Sequence, residues 1–316
     1  MTTTRLFFAT DVHGSESCFL KFLNVPKIYK AKVLVLGGDL TGKMMVPLVE
    51  RSDGKYEATF LGIQHVISRE EIGGLEQKIQ RVGFYPHTTN ADSMRELQSD
   101  PQKLEELSRQ LIVGRIRRWL SIAEQKLEGS DIEVYVSGGN DDPEYVDDLL
   151  RESRRILDPE GNVSRLVDGH EMITCAWTNP TPWKTAREYE EQQLQDRLEA
   201  IILRVGKLEN CIFNIHVPPI DSGLDLCQKL DEDIRPVFSR GQPVMFGAGS
   251  TAVRSVIEKH QPLLGLHGHI HESRGAVKIG RTLCLNPGSE YSEGILRGVI
   301  VDLDERRVKG HIFTAG

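Results

Sequence analysis

Three histidines stand at alternate positions in Leu-Leu-Gly-Leu-His-Gly-His-Ile-His-Glu-Ser, residues Leu263 to Ser273, directly after an apolar run. Alternate side chains along a strand share a face. His269 and His271 are therefore placed to point from a strand end into one space, and neutral imidazole is the commonest metal-ligating side chain. Ten histidines in 316 residues give about 0.3 His-x-His pairs by chance, so the pair needs partners elsewhere in the chain. His267 lies further back in the same run and reads as a packed or hydrogen-bonded histidine.

Four other segments supply such partners. Asp11-Val12-His13-Gly14 follows the apolar run Leu6 to Thr10, and Gly37-Gly38-Asp39 follows Val33 to Leu36. Ser137-Gly138-Gly139-Asn140-Asp141-Asp142 follows Ile132 to Val136, and His216-Val217-Pro218-Pro219 follows Cys211 to Ile215. Taken singly, Asp11, His13 and Asp39 read as turn and helix-cap residues. Independent capping does not explain why every cluster sits where a buried strand ends, the edge at which open α/β sheets gather ligands. Carboxylate, amide and imidazole together suit borderline divalent metals, manganese first with iron or zinc as alternatives, rather than the all-oxygen cage of calcium. The seven groups Asp11, His13, Asp39, Asn140, His216, His269 and His271 exceed the usual complement of one ion, which points to a two-metal site.

The ordered set Asp-x-His, Gly-Asp, Gly-Asn, His, Gly-His-x-His, spanning residues 11 to 271, resembles the calcineurin-like metallophosphoesterase superfamily. His216-Val217-Pro218-Pro219, the Leu263 to Ser273 stretch and Asn286-Pro287-Gly288-Ser289 are similar to predicted phosphoesterases related to the Icc cyclic-nucleotide phosphodiesterases. The resemblance implies an αββα sandwich of two mixed sheets and the hydrolysis of phosphodiesters or phosphomonoesters by a hydroxide bridging two metal ions. Carried over residue by residue, it gives Asp11, His13, Asp39 and His271 to one ion and Asp39, Asn140, His216 and His269 to the other, with Asp39 as the bridge. Asp39, Asn140, Asp141 and His216 are then the catalytic candidates. Asp141 departs from the pattern, because most members carry a histidine there to meet the leaving oxygen. An ordinary aspartate, with a pKa near ~3.9, is an anion at neutral pH and a poor proton donor unless its surroundings raise that value.

These residues need elements to hold them. Besides the buried strands, the sequence predicts a helix from Ser15 to Asn24, a helix opened by Asp142-Pro143, a long amphipathic helix from Trp183 to Leu208, a loop from Ile220 to Ser250 ending in an N-cap at Ser250, and strands over Val163 to Trp177, Ala276 to Leu285 and Arg297 to Phe313. The interval between Leu40 and Asp131 is far longer than a βαβ crossover requires. It reads as a largely helical insert, residues 41–130, serving as a cap or a subunit contact within a single domain of residues 1–316. Inside it, Tyr56 to Ile67 suggests a hairpin, Ser68-Arg69-Glu70-Glu71 a capping box opening a helix to about Arg81, Gly83 to Thr89 a break, and Asp100-Pro101 the start of a second helix. The stripe of Leu104, Leu107, Leu111, Trp119, Leu120, Ala123 and Leu127 reads as core or subunit contact. Lys43 and Arg274 lie near the motifs as phosphate-binding or plain surface cations, whereas His65, His87 and His170 have no partner in the pattern.

Composition narrows the setting. A formal charge of -7 opposes polyanion binding, which disfavours nucleic acid as partner and a nuclease as function. Five cysteines without a Cys-x-x-Cys suit reduced thiols in a cytoplasm. No apolar run approaches the ~20 residues of a membrane span. A small phosphoester is the expected partner, a homo-oligomer is compatible with the insert, and a metal-binding scaffold without turnover is the rival reading.

Overall fold

In the computed structural model, which describes residues 3–316, the apolar runs form the centres of two six-stranded mixed sheets. The first sheet has the order Arg307–Ala315, Arg297–Asp304, Thr4–Ala9, Val33–Gly37, Glu133–Ser137, Ile156–Leu157. Its last four strands are parallel and its first two antiparallel. The second sheet has the order Gly275–Ile279, Thr282–Asn286, Leu264–Leu266, Ile212–Ile215, Glu171–Cys175, Val163–Arg165, four parallel strands between two antiparallel edges.

Two-residue alternation assigns each strand's faces. Leu6 and Phe8 join Val33 and Val35 in a core shared with Met172, Ile212, Leu264 and Leu266 of the facing sheet. Their neighbours Phe7 and Ala9 face outward with Leu34 and Leu36 onto Phe19, Phe22 and Trp119 of the flanking helices. On the far side, Ile173, Phe213 and Ile215 pack under Leu194, Leu198, Val253 and Val256. The result is the four-layer αββα sandwich.

Local signals place the helices. Ser15 accepts from the Cys18 amide and starts Glu16–Phe22, and Ser250 caps Thr251–His260 through the Val253 amide. Asp100 caps Pro101–Leu127, whose C-terminal half buries Ile116, Trp119, Leu120, Ala123 and Leu127. Trp119 stacks on Phe19 with centroids 4.3 Å apart. This half of the stripe belongs to the main core, while Leu104 remains exposed.

Three segments differ from the sequence reading. The insert contains a four-stranded sheet, Ile63–Ile67, Tyr56–Phe60, Met45–Glu50, Tyr85–Asn90, alongside its helices. Leu75 and Ile79 of the helix Ile72–Arg81 pack on Leu48, Ala58 and Phe60 of that sheet. The expected break at Gly83 to Thr89 holds its edge strand, where Pro86 needs no amide hydrogen. The helix expected from Trp183 to Leu208 covers only Glu191–Ile202. Residues before it form an irregular strap, pulled down by buried Arg187, which donates to the Asp142 and Pro143 carbonyls and pairs with Asp147. The Ile220 to Ser250 loop folds into two short strand pairs, Leu226–Gln228 with Met245–Gly247 and Phe238–Ser239 with Gln242–Pro243. Among the described residues, no helix is long and apolar enough to cross a membrane.

Candidate metal centre

The carboxyl ends of Thr4–Ala9, Val33–Gly37 and Glu133–Ser137 in one sheet, and of Ile212–Ile215 and Leu264–Leu266 in the other, deliver the predicted residues to a common space. Asp11, His13, Asp39 and His271 each offer one donor atom within 4.8 Å of the others, and Asp39, His216 and His269 form a second such group. Asp39 belongs to both. Its Oδ2 lies 3.6 Å from His13 Nε2 and 3.4 Å from His216 Nε2. Asp11 Oδ1 lies 3.4 Å from His271 Nε2. Asn140 joins the second group through its Oδ1, 2.8 Å from His269 Nδ1.

The backbone bends hard to achieve this. Asp11, His13, Asp39 and His269 have φ of 54°, 38°, 50° and 66°, a region that side-chain-bearing residues seldom enter. Cross-loop bonds hold them there: Asp11 N to Gly38 O at 3.0 Å, His13 N to Asp39 O at 2.9 Å, and Gly268 N to His216 O at 2.8 Å. Ser289 Oγ donates to Asp11 O at 2.6 Å, while Asn286 Nδ2 donates to Ile270 O at 3.0 Å. This gives the Asn286-Pro287-Gly288-Ser289 motif its role as a brace. Close approach also dictates two glycines, since a Cβ on Gly139 would strike the Asp39 carboxylate and one on Gly38 the His216 ring.

The charges call for a cation. His216 donates from Nδ1 to Gly37 O at 2.9 Å, which turns its buried Nε2 toward two carboxylates with no hydrogen-bond partner. A neutral lone pair there is repelled, so a proton is retained. Burial opposes the charged ring, but Asp39 and Asp11 outweigh it and hold the pKa near 10. Burial likewise opposes ionisation of Asp11, yet the bond from His271 and the charge of His216 bring it to about 2. His13 and His269 are pushed by burial to about 4, so both rings are neutral and available as donors at physiological pH. His13 Nε2 and His271 Nε2 stand 3.1 Å apart, close to the ~3 Å that separates two nitrogens bound at right angles to one ion with bonds of ~2.1 Å. The donor set therefore fits divalent cations, and the bond from His216 to Gly37 is the kind of outer support that orients a ligating imidazole.

The other sequence candidates fall on either side of the site. Asp141 is half-buried at its edge; its amide donates to Asp39 Oδ1 at 3.0 Å and its carboxylate pairs with Lys43. Burial and the Asp39 charge raise its pKa to about 6. Lys43 lines the cleft, whereas Arg274 lies over the Phe313 ring. His267 is packed, with Nδ1 donating to Ile215 O at 2.9 Å. His170 pairs with Asp168 in a separate surface cavity, well apart in the chain from the metal donors. Sequence reasoning misses two supports. Asp142 reads as a helix start, but its carboxylate accepts from the amides of Leu40, Thr41 and Gly139 and thereby ties two donor loops together. Thr185 accepts from Asn140 Nδ2 at 2.9 Å and donates to Glu188, fixing which way the amide faces. Asp142 adjoins a motif and so has a signal; Thr185 and Glu188 have none.

A cleft of about 620 Å³ opens above the donors, with the strap at Asn179 to Trp183 on one wall and Phe246 to Gly249 on another. Two facing mixed sheets, helices outside them and an Asp-His cluster at the strand ends are what the sequence resemblance implied. The fold is the four-layer sandwich of two mixed sheets, and it is shared with solved structures. A solved structure covering 98% of both chains superposes at a TM-score of 0.59 with 15% identity. A Thermus thermophilus protein does so at 0.52 with 14% identity, over 100% of this chain and 99% of that one. An archaeal phosphodiesterase and an E. coli phosphoesterase stand further off, at TM-scores of 0.32 and 0.31 with 10% and 11% identity; each match covers 98% of this chain, with 100% and 98% of the other. In sequence, an uncharacterised protein of Methanocaldococcus jannaschii is 29% identical over 171 residues, 53% of this chain and 70% of that one. No family model matches the chain.

Proposed function

We propose that the protein is a metal-dependent phosphoric ester hydrolase acting on a small phosphodiester or phosphomonoester with two divalent cations, manganese first and iron or zinc as alternatives. The observation that carries this is Asp39, a buried carboxylate shared by two donor groups. Asp11, His13, Asp39 and His271 would hold one ion, and Asp39, Asn140, His216 and His269 the other. Ions so held lower the pKa of water and draw charge from phosphoryl oxygens.

The chain's own residues do the rest. The strained loops hold the donors before substrate arrives, so little reorganisation is needed at the moment of reaction. Lys43 brings its ammonium to the cleft beside Asp141, placed to bind a phosphoryl oxygen. With its pKa near 6, Asp141 is partly protonated around neutral pH and can pass a proton to a departing oxygen, the task for which most of the resembling family uses histidine. A single lysine and no arginine among the described lining residues suit a small ester better than a nucleic-acid backbone. All five cysteines are free and four are buried, which supports a reducing, cytoplasmic setting.

The test is hydrolysis of bis(p-nitrophenyl) phosphate by manganese-loaded protein. Turnover that Asp39→Asn lowers at least about 100-fold supports the reading, by the scale of losing an electrostatic group in a catalytic site. Absence of turnover in protein shown to hold metal would leave a binding scaffold. For Asp141, esters of graded leaving-group pKa decide: identical slopes for wild type and Asp141→Asn would reject proton donation.

A further inference from the structure

The wall of the cleft differs sharply from its floor. Metal donors, Asp141 and Lys43 make the floor, whereas Pro180, Pro182, Trp183, Leu230 and Phe246 supply much of the rest of the lining. Trp183 is 60% exposed and Phe246 41%. Single exposed apolar residues are ordinary, but a contiguous group rimming a polar site marks a place where a ligand is covered.

These walls are built, not loose. The Trp183 amide donates to Thr181 Oγ1, and Thr181 in turn donates to Glu188 at 2.6 Å. Thr178 and Tyr189 close the strap's base with backbone bonds, and buried Arg187 fastens it to the loop bearing Asn140. The distance from phosphoryl site to apolar wall is thus set by the same clamp that positions a metal donor. Charge limits the rest of the ligand. Lys43 is the one lysine or arginine among the described lining residues, and Glu272 stands opposite in sign on the rim. Beyond the metal centre, a ligand with several phosphates would find one cationic side chain and a carboxylate.

We infer that the cleft takes phosphoesters with a single phosphoryl group and a bulky apolar substituent, which lies against Trp183 and Phe246 while the phosphoryl group sits beside Lys43 at the metal centre. This rests on the hydrolase reading and extends it to substrate class. Selectivity comes from apolar area removed from water and appears mainly in KM, because that contact is made equally in ground and transition states.

The experiment compares p-nitrophenyl phosphodiesters that share a leaving group and differ in the retained alcohol: methyl, phenyl, hexyl and thymidine. Manganese-loaded wild type should turn over the phenyl and hexyl esters with kcat/KM roughly tenfold or more above the methyl ester, through KM, the size of effect a few buried methylenes give. The thymidine ester should lie near the methyl ester. In Trp183→Ala combined with Phe246→Ala the apolar preference should fall to within about threefold of unity. Calorimetric binding of methylphosphonate and hexylphosphonate to metal-loaded protein gives a readout independent of turnover, with hexylphosphonate tighter in wild type and the difference lost in the double variant. Equal kcat/KM for methyl, phenyl and hexyl esters, a thymidine ester preferred over all three, or equal binding of the two phosphonates would overturn the inference. Tighter hexylphosphonate binding with no ester hydrolysed would retain it and reject the hydrolase reading.

Discussion

Replacing Asp142 by asparagine should loosen the proposed metal centre without touching any of its proposed donors. Asp142 is fully buried, and its carboxylate accepts three backbone amides at 2.8 Å: Leu40 and Gly139 on Oδ2, Thr41 on Oδ1. Burial and the nearby Asp39 charge push its pKa upward, against the pull of those three donors. An amide of the same shape keeps one oxygen. In its better orientation the oxygen serves Leu40 and Gly139, while its NH2 faces the Thr41 amide and leaves that buried donor unsatisfied, at about 1–3 kcal/mol. The two remaining bonds fall from charged to neutral strength, a loss that relief of the burial and Asp39 repulsion offsets. A loss of about 2 kcal/mol should lower Tm by about 3 °C in a chain of this size. Leu40 follows Asp39 and Gly139 precedes Asn140, so manganese affinity should also fall about 10–100-fold, as it does when outer support of a ligand is removed. Thermal melts and calorimetric manganese titration of wild type and Asp142→Asn read both effects. A variant melting within about 1 °C of wild type, with manganese affinity intact, would show that the three bonds are not what holds the loops.

Further outcomes follow from the same geometry. The metal-free site keeps a proton on His216 up to about pH 10 and holds the His271 pKa above its ordinary value, because burial is outweighed by Asp39 for the first and Asp11 for the second. Metal binding must displace those protons, so apparent affinity should keep climbing from pH 6 to 8 instead of levelling above the ordinary imidazole value of ~6.5; calorimetry in buffers of different ionisation heat reads the release, and a flat profile contradicts it. Gly139→Ala should abolish metal binding because its Cβ would fall on Asp39, whereas Gly73→Ala, on a helix with open space around it, should be neutral or stabilising by about 0.5–1 kcal/mol. Lys43→Met should lower kcat/KM for phosphoesters by about 10-fold or more while metal content stays at the wild-type level, since Lys43 pairs with Asp141 and with no metal donor; loss of metal in step with activity would assign it a structural role.

That these acidic, amide and imidazole residues gather in one space is legible in the sequence because each follows a short buried strand, and parallel strands necessarily bring their ends to one edge. What lies between them is less so. Tyr85–Asn90 hides behind Gly83 and Pro86, both of which break most structures yet are tolerated at a turn and an edge strand. The amphipathic pattern after Trp183 suggests helix, but Arg187 and Thr185 draw that segment down to the Asn140 loop, and their tertiary bonds prevail over local propensity. The cleft walls are illegible for the same reason: Trp183 and Phe246 are 63 positions apart in sequence and line one cleft through the clamp and a short strand pair.

The most direct measurement is anomalous diffraction from crystals of the manganese-soaked protein. Two peaks should flank the Asp39 carboxylate, one among Asp11, His13 and His271, the other among Asn140, His216 and His269. A single peak, or density only at surface carboxylates with His216 Nε2 left facing Asp39 alone, would contradict a carboxylate shared between two ions.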